Sequence, residues 1–291
     1  MQTIRVSPCD DLQRVFDNAP ENAFILLEAG EYRQKTVIRT PGLIIVGAGA
    51  DQTKLVWGDY ARKMDQFGAE YNTFRTYTLA VCADGVTMRN LTVENDARSP
   101  ERKGQEVALS VVADGFYMEN STLRSTQDTL FLGPLPSDLI GRYEGFLNDE
   151  LRRYGKMRQR FRNCRIEGTV DFIFGNGEAV FEHCEICSLP DVRRTGYVAA
   201  PAHEAWQEEG FRFRDCSFNC VPGVENGSVY LARPWRDHGL SVFEGCRYDR
   251  HIAPEGFDKW SGTHRDQTAR FFETPIVPGR VAWINRNQQQ G

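Results

Sequence analysis

The segment Gly168-Thr-Val-Asp171-Phe-Ile-Phe-Gly175 and the segment Gln127-Asp128-Thr-Leu130 each set one carboxylate among apolar, strand-forming residues. An acid in such surroundings is costly unless it is paired or put to chemical use. Two such acids, brought together by the fold, can divide the labour of a reaction. One attacks as a nucleophile and the other moves a proton.

Other chemistries find little footing. The only Cys-x-x-Cys spacing is Cys184-Glu-Ile-Cys187, and Cys216 and Cys220 lie four apart with no nearby histidine. No metal site and no cofactor are therefore expected. His183, His203, His238, His251 and His264 have no triad context, and no Gly-x-Ser-x-Gly elbow occurs. The eight cysteines are too few for a disulfide scaffold in 291 residues and read as buried thiols.

What positions the two acids is a repeat. Phe161-Arg-Asn-Cys-Arg-Ile166, Phe181-Glu-His-Cys-Glu-Ile186, Phe213-Arg-Asp-Cys-Ser-Phe218 and Phe243-Glu-Gly-Cys-Arg-Tyr248 share one pattern. Met88-Arg-Asn-Leu-Thr-Val93 and Met118-Glu-Asn-Ser-Thr-Leu123 are degenerate copies. The fourth and sixth positions share strand parity and the first does not, so a bend must fall between them. Anchors at positions 88, 118, 161, 181, 213 and 243 are spaced 30, 43, 20, 32 and 30 apart. A constant strand motif with variable spacing indicates a β-solenoid whose coils carry loops of different length. Helical periodicity is scarce. The best candidate runs from Cys9 to Ala19, with Leu12, Val15 and Phe16 on one face, and would cap the open end of the solenoid.

The repeat makes a geometric prediction. Asp128 lies ten residues after its anchor Met118, and Asp171 lies ten residues after its anchor Phe161. Equal offsets place both acids at matching points of neighbouring coils, with carboxyls within roughly 5 Å, because adjacent strands lie about 4.8 Å apart. The extra length between these coils, residues 133–158, reads as an excursion that leaves the stack and returns beside the acids.

Several further motifs occur in order: Ala29-Gly-Glu-Tyr32, Gly47-Ala-Gly-Ala50, Thr73-Phe-Arg-Thr-Tyr-Thr78, Gln105-Glu-Val-Ala-Leu109 and Tyr230-Leu-Ala-Arg-Pro-Trp235. Together with the two acid-bearing segments they resemble the pectin methylesterases, carbohydrate esterases built on a right-handed parallel β-helix. The resemblance implies an all-β chain, one domain over 1–291, that hydrolyses C6 methyl esters of galacturonosyl units and releases methanol. It implies that Asp171 attacks the ester carbonyl. Asp128 would protonate the departing methanol and then activate water, and Gln127 and Gln105 would donate to the oxyanion. Arg233 would hold Asp171 ionised, Trp235 would stack on the sugar, and Thr78 would contact substrate. Plant members carry a cysteine where this chain has Ser121, facing the position of Cys164, so that disulfide cannot form here.

The excursion at 133–158, with Arg142, Tyr143, Arg152, Arg153, Tyr154, Lys156 and Arg158, is expected to wall one side of the groove and to select short, partly de-esterified substrates. A depolymerase on the same scaffold and a silent carbohydrate-binding solenoid are the alternatives. The former would make new reducing ends, and the latter would have lost Asp128, Asp171 or Arg233.

Bulk properties bound the rest. A net charge of -5, with 41% hydrophobic and 26% charged residues, fits a globular protein and argues against nucleic acid or an anionic membrane as partner. The first residues, Met1-Gln-Thr-Ile-Arg-Val6, have no apolar signal core, which points to a cytoplasmic protein, or to a secreted one whose signal has been removed; a monomer is expected. The Gln288-Gln-Gln-Gly291 tail is expected to be disordered.

Overall fold

The computed structural model describes residues 2–97, 104–143, 147 and 149–285. The expected disordered tail lies outside these residues. Three parallel sheets of ten, seven and eight strands run side by side, and each coil of the chain contributes one strand to each sheet in turn. This is a parallel β-helix, right-handed as crossovers between parallel strands require.

The predicted register is the observed one. Met88 pairs with Met118, Met118 with Phe161, Phe161 with Phe181, Phe181 with Phe213, and Phe213 with Phe243. Ile25 and Ile45 extend the series toward the N-terminus, where the pattern was too degenerate to recognise. The rings of Phe161, Phe181, Phe213 and Phe243 stack at centroid distances of 5.0, 4.7 and 4.8 Å in the solenoid interior. Each is fully buried. Burial is worth about 1.5–3 kcal/mol per ring, and ring–ring geometry adds about 0.5–1.5 kcal/mol.

The bend required by parity sits at the third position of the motif. Asn90, Asn120, Asn163, His183, Asp215 and Gly245 all take positive φ there, between 50° and 63°. Asn, Asp and Gly tolerate this left-handed conformation best, which explains their recurrence. Asn90 and Asn120 are thus turn residues. The cysteine that follows points inward. The Sγ atoms of Cys164, Cys184, Cys216 and Cys246 each donate to the carbonyl of the anchor one coil before, at 3.4–3.5 Å. A neighbouring thiol and burial push the Cys216 thiol up to about 12, which keeps it from the thiolate form. All eight cysteines are free.

The capping helix forms over Leu12–Asn18, shorter than the Cys9–Ala19 expected. Asp11 caps it by accepting from the Arg14 amide at 3.0 Å. Leu12 and Phe16 close the core at the N-terminal end, and Val15 packs partly against it. We call this helix α1. A second short helix, α2, spans Ser137–Arg142 inside the long excursion. No helix among the described residues is long and apolar enough to cross a membrane.

Candidate active site

The two acids fall at one register on adjacent coils. Leu130 pairs with Ile173 and Phe131 with Phe174, so Asp128 and Asp171 each lie two residues before a paired position. The Asp128 amide donates to the carbonyl of Val170 at 3.1 Å, which ties the coils together at that point. Neither acid has ordinary strand geometry. Asp128 stands just before the strand Leu130–Leu132 with φ +65°, and Asp171 has φ +50° within the strand Val170–Gly175.

A register shift against the next coil between Val170 and Ile173 adds a bulge at Asp171. Bulges re-aim side chains beside functional sites. Here Phe172 turns into the core, fully buried, while Asp171 faces the cleft. Gly168 makes room for this turn, because a Cβ there would lie 2.2 Å from the Cβ of Phe172.

Asp171 accepts two hydrogen bonds from Arg233, Nε to Oδ1 at 2.8 Å and Nη2 to Oδ2 at 2.6 Å. The guanidinium is in turn clamped between the rings of Tyr197 and Trp260, at 3.8 and 4.0 Å. Such a bidentate, stacked contact is specific to arginine. Gln127 and Gln105 line the same cleft, both half-buried. The Glu106 amide donates to the Gln127 carbonyl at 2.9 Å, setting these two coils in line.

The two acids differ in charge state. Burial, and after it the negative charge of Asp171, push the Asp128 carboxyl far above the usual carboxylate range. Burial pushes Asp171 up as well, but the hydrogen bonds and charge of Arg233 oppose it, with Arg193 adding to them. The expectation of a lowered Asp171 pKa is therefore corrected. Desolvation outweighs the ion pair, and Arg233 acts by keeping Asp171 the stronger acid of the two.

Thr78 is a second correction. It is fully buried, and its Oγ1 donates to the Glu94 carbonyl at 2.9 Å and reaches the Trp57 carbonyl at 3.3 Å. It holds adjacent coils together and does not face the cleft; Thr73 and Phe74 of the same motif do. β-Branched residues recur on strands for structural reasons, and nothing local distinguishes one that faces a groove.

The cleft holds about 390 Å³, within the range of small-ligand sites. Trp235 stands on its wall against Phe174 and Phe74, at ring distances of 5.8 and 6.5 Å. Sequence reasoning missed Trp260, Phe74, Phe174 and Arg236, which also line it. It also missed Arg193, which pairs with Asp191 and donates from Nη2 to Gln127 Oε1 at 3.0 Å. That bond turns the Gln127 amide so that its NH₂ end faces the Asp128 carboxyl, to which it donates. The excursion does return beside the acids, as expected. Leu139 and Arg142 of α2, and Tyr143 after it, form one wall, but Arg152, Arg153, Tyr154, Lys156 and Arg158 do not line the cleft: Arg153 donates to the carbonyls of Cys82 and Val112, and Lys156 and Arg158 lie on another surface. Among the described residues no cluster of side chains suited to a metal ion is found.

The Pectinesterase family model matches residues 6–134 and 143–280. Pectinesterase 31 of Arabidopsis thaliana is 30% identical over 272 residues, covering 89% of this chain and 76% of that protein. Pectinesterase QRT1 of the same plant is 28% identical, covering 92% of this chain and 66% of that protein. Among solved structures, pectin methylesterase PemA from Erwinia chrysanthemi superposes with a TM-score of 0.78 at 25% identity, over 94% of this chain and 87% of that one. A pectin methylesterase in complex with a hexasaccharide superposes with a TM-score of 0.76 at 25% identity, over 90% of this chain and 83% of that one. The chain belongs to the pectinesterase family, enzymes that hydrolyse carboxylic esters.

Proposed function

We propose that this chain removes methyl groups from the C6 esters of galacturonosyl units in pectin or its oligosaccharides, with Asp171 as nucleophile and Asp128 as acid and base. The observation that carries the reading is the shared register of two buried acids on one cleft, only one of which has an arginine partner. That asymmetry leaves Asp171 ionised over a pH range in which Asp128 keeps its proton.

The reaction follows from the geometry. A carboxylate oxygen of Asp171 attacks the ester carbonyl, and the carbonyl oxygen gathers negative charge. The NH₂ groups of Gln127 and Gln105 donate to that oxygen, a contribution typically of about 3–4 kcal/mol per donor in comparable sites. Arg193 positions the first of these amides. The tetrahedral species collapses, the C–OCH₃ bond breaks, and Asp128 gives its proton to the departing methoxide oxygen, which leaves as methanol. The acyl group is now joined to Asp171 as an anhydride. Asp128, ionised, takes a proton from water, which attacks the acyl carbon and frees both the galacturonate and Asp171. Trp235 offers an apolar face to the sugar. No step calls for a cofactor.

We read residues 1–291 as one catalytic domain acting as a monomer, with no nucleic acid or membrane partner. The cytoplasmic expectation draws no support from the relatives. A polymeric wall substrate meets its enzyme outside the cell, in line with the secreted alternative.

The test is methanol release from methylated oligogalacturonides and from polymeric pectin by the wild type and Asp171→Asn. Asparagine tolerates the φ of +50° at this position, so the left-handed turn is retained. Loss of at least about 10³-fold in kcat is expected for removal of a nucleophile. Equal release by both proteins overturns the assignment, and new reducing ends without methanol would make the enzyme a depolymerase.

A further inference from the structure

The family model stops at residue 134 and resumes at 143, and the unmatched residues contain the whole of α2, Ser137–Arg142. This helix is nonetheless a fixed part of the cleft. Leu139 and Ile140 are buried in an apolar cluster with Phe74, Phe131 and Phe174. Ser137 Oγ donates to Glu204 Oε1 at 2.8 Å. Asp138 accepts a bidentate pair from Arg236, at 3.0 and 2.7 Å. Just after the helix, Tyr143 donates its hydroxyl to Asn72 Oδ1 at 3.2 Å.

Arg142 ends α2, is exposed, and lines the cleft. Its natural partner one turn back is Asp138, but that carboxylate is turned to Arg236. Arg233 is held by Asp171. Arg142 is therefore the one cation lining this cleft that has no carboxylate in ion-pair contact among the described residues. A guanidinium held on a rigid element, beside a site whose product is a carboxylate, matches a sugar that has already lost its methyl group.

We infer that Arg142 forms a subsite for the free carboxylate of a galacturonate unit flanking the reacting ester. The inference rests on the esterase reading above for the nature of the ligand, and it assigns to α2 the choice of partly de-esterified over fully esterified chains. The charge contact breaks no ion pair of Arg142 among the described residues; its charge acts on Asp138 without a direct contact, and that carboxylate keeps Arg236. Arg142 here is a binding residue and takes no part in bond making.

Two measurements test it. The first is calorimetric binding of a fully de-esterified galacturonate hexamer, which needs no turnover. Arg142→Gln should weaken binding about fivefold at low salt, Arg142→Lys should weaken it less, and the difference between wild type and Arg142→Gln should shrink as salt rises. Equal binding by wild type and Arg142→Gln overturns the subsite. The second is the ratio of kcat/KM on partly de-esterified to fully methylated oligogalacturonide. Arg142→Gln should lower this ratio about fivefold through KM, and an unchanged ratio overturns the inference. If the wild type releases no methanol from either substrate, the esterase reading fails, while the hexamer result still decides whether Arg142 binds galacturonate.

Discussion

Two concave surfaces of this molecule are lined by arginines, and they behave in opposite ways. The larger, about 790 Å³, lies on the outer face of the ten-stranded sheet and carries Lys156, Arg158, Arg160, Arg212 and Arg214. Each of these is paired with an acid: Lys156 with Glu178, Arg158 with Asp114 and Arg160 with Glu182, while Arg212 and Arg214 share Glu244 and Arg212 also reaches Glu209. The smaller, about 390 Å³, holds two buried acids, of which Asp171 is paired with Arg233 and Asp128 has no arginine partner among the described residues. In the first, charge is balanced pair by pair in water, where each pair is worth about 0–1 kcal/mol. In the second, charge is left unequal in a desolvated setting, and the inequality sorts two identical side chains into an acid and an anion. Size does not tell the two surfaces apart in chemical terms; unbalanced, buried charge does.

Three perturbations break or sharpen this contrast. The largest effect is expected from Arg233→Met, which leaves the Asp171 carboxylate buried and alone. Removing one partner of such a pair typically costs about 3–5 kcal/mol. The pKa of Asp171 should rise further toward that of Asp128, and kcat/KM for methanol release should fall by at least about 100-fold, with the acid limb of the pH profile moved upward. A profile identical in shape to the wild type would show that the arginine does not separate the two acids.

The second is the pH profile and its stability counterpart. Activity should fall on the acid side as Asp171 takes up a proton, at a pH above the usual carboxylate range, and on the alkaline side as Asp128 loses its own. The native Asp128 pKa lies above its unfolded value, so the native state binds this proton more tightly. The stability it contributes is complete below the unfolded pKa and is lost as pH rises through the folded pKa. Asp128→Asn removes that loss and keeps the left-handed backbone. Its Tm should match the wild type in mild acid and exceed it at alkaline pH, while its activity is abolished. A Tm difference independent of pH would contradict a protonated Asp128.

The smallest effect belongs to the other surface. Arg160→Ala, which breaks an exposed pair with Glu182, should change stability by less than about 1 kcal/mol in denaturant unfolding. Methanol release should be as in the wild type. A marked loss of activity would mean that the paired face takes part in substrate binding.

The contrast also explains what could be read from the chain. The Phe161, Phe181, Phe213 and Phe243 ladder was legible because every coil must fill the same interior position, so the residue type repeats. The register of Asp128 and Asp171 was legible for the same reason, since both are counted from that ladder. The left-handed turn at Asn163 and its equivalents could have been found, as Asn, Asp and Gly recur at the third motif position. Arg193 and Trp260 could not. Arg193 meets Gln127 66 positions earlier, and Trp260 reaches Arg233 by folding back a loop after the last full coil. These are single contacts between unlike segments, and no periodicity records them. Thr78 failed in the opposite sense, because it stands in a motif beside residues that do reach the cleft.

The spacing between stacked anchors ranges from 20 to 43 residues, yet Met118 and Phe161, 43 apart, pair as regularly as Phe161 and Phe181. Alignment of the coils is thus indifferent to what is inserted between them. Inheritance can trim, extend or exchange the segment carrying α2 without moving either aspartate by a residue. Which sugars are admitted and how their esters are cut become separable traits of one polypeptide, free to change at different rates.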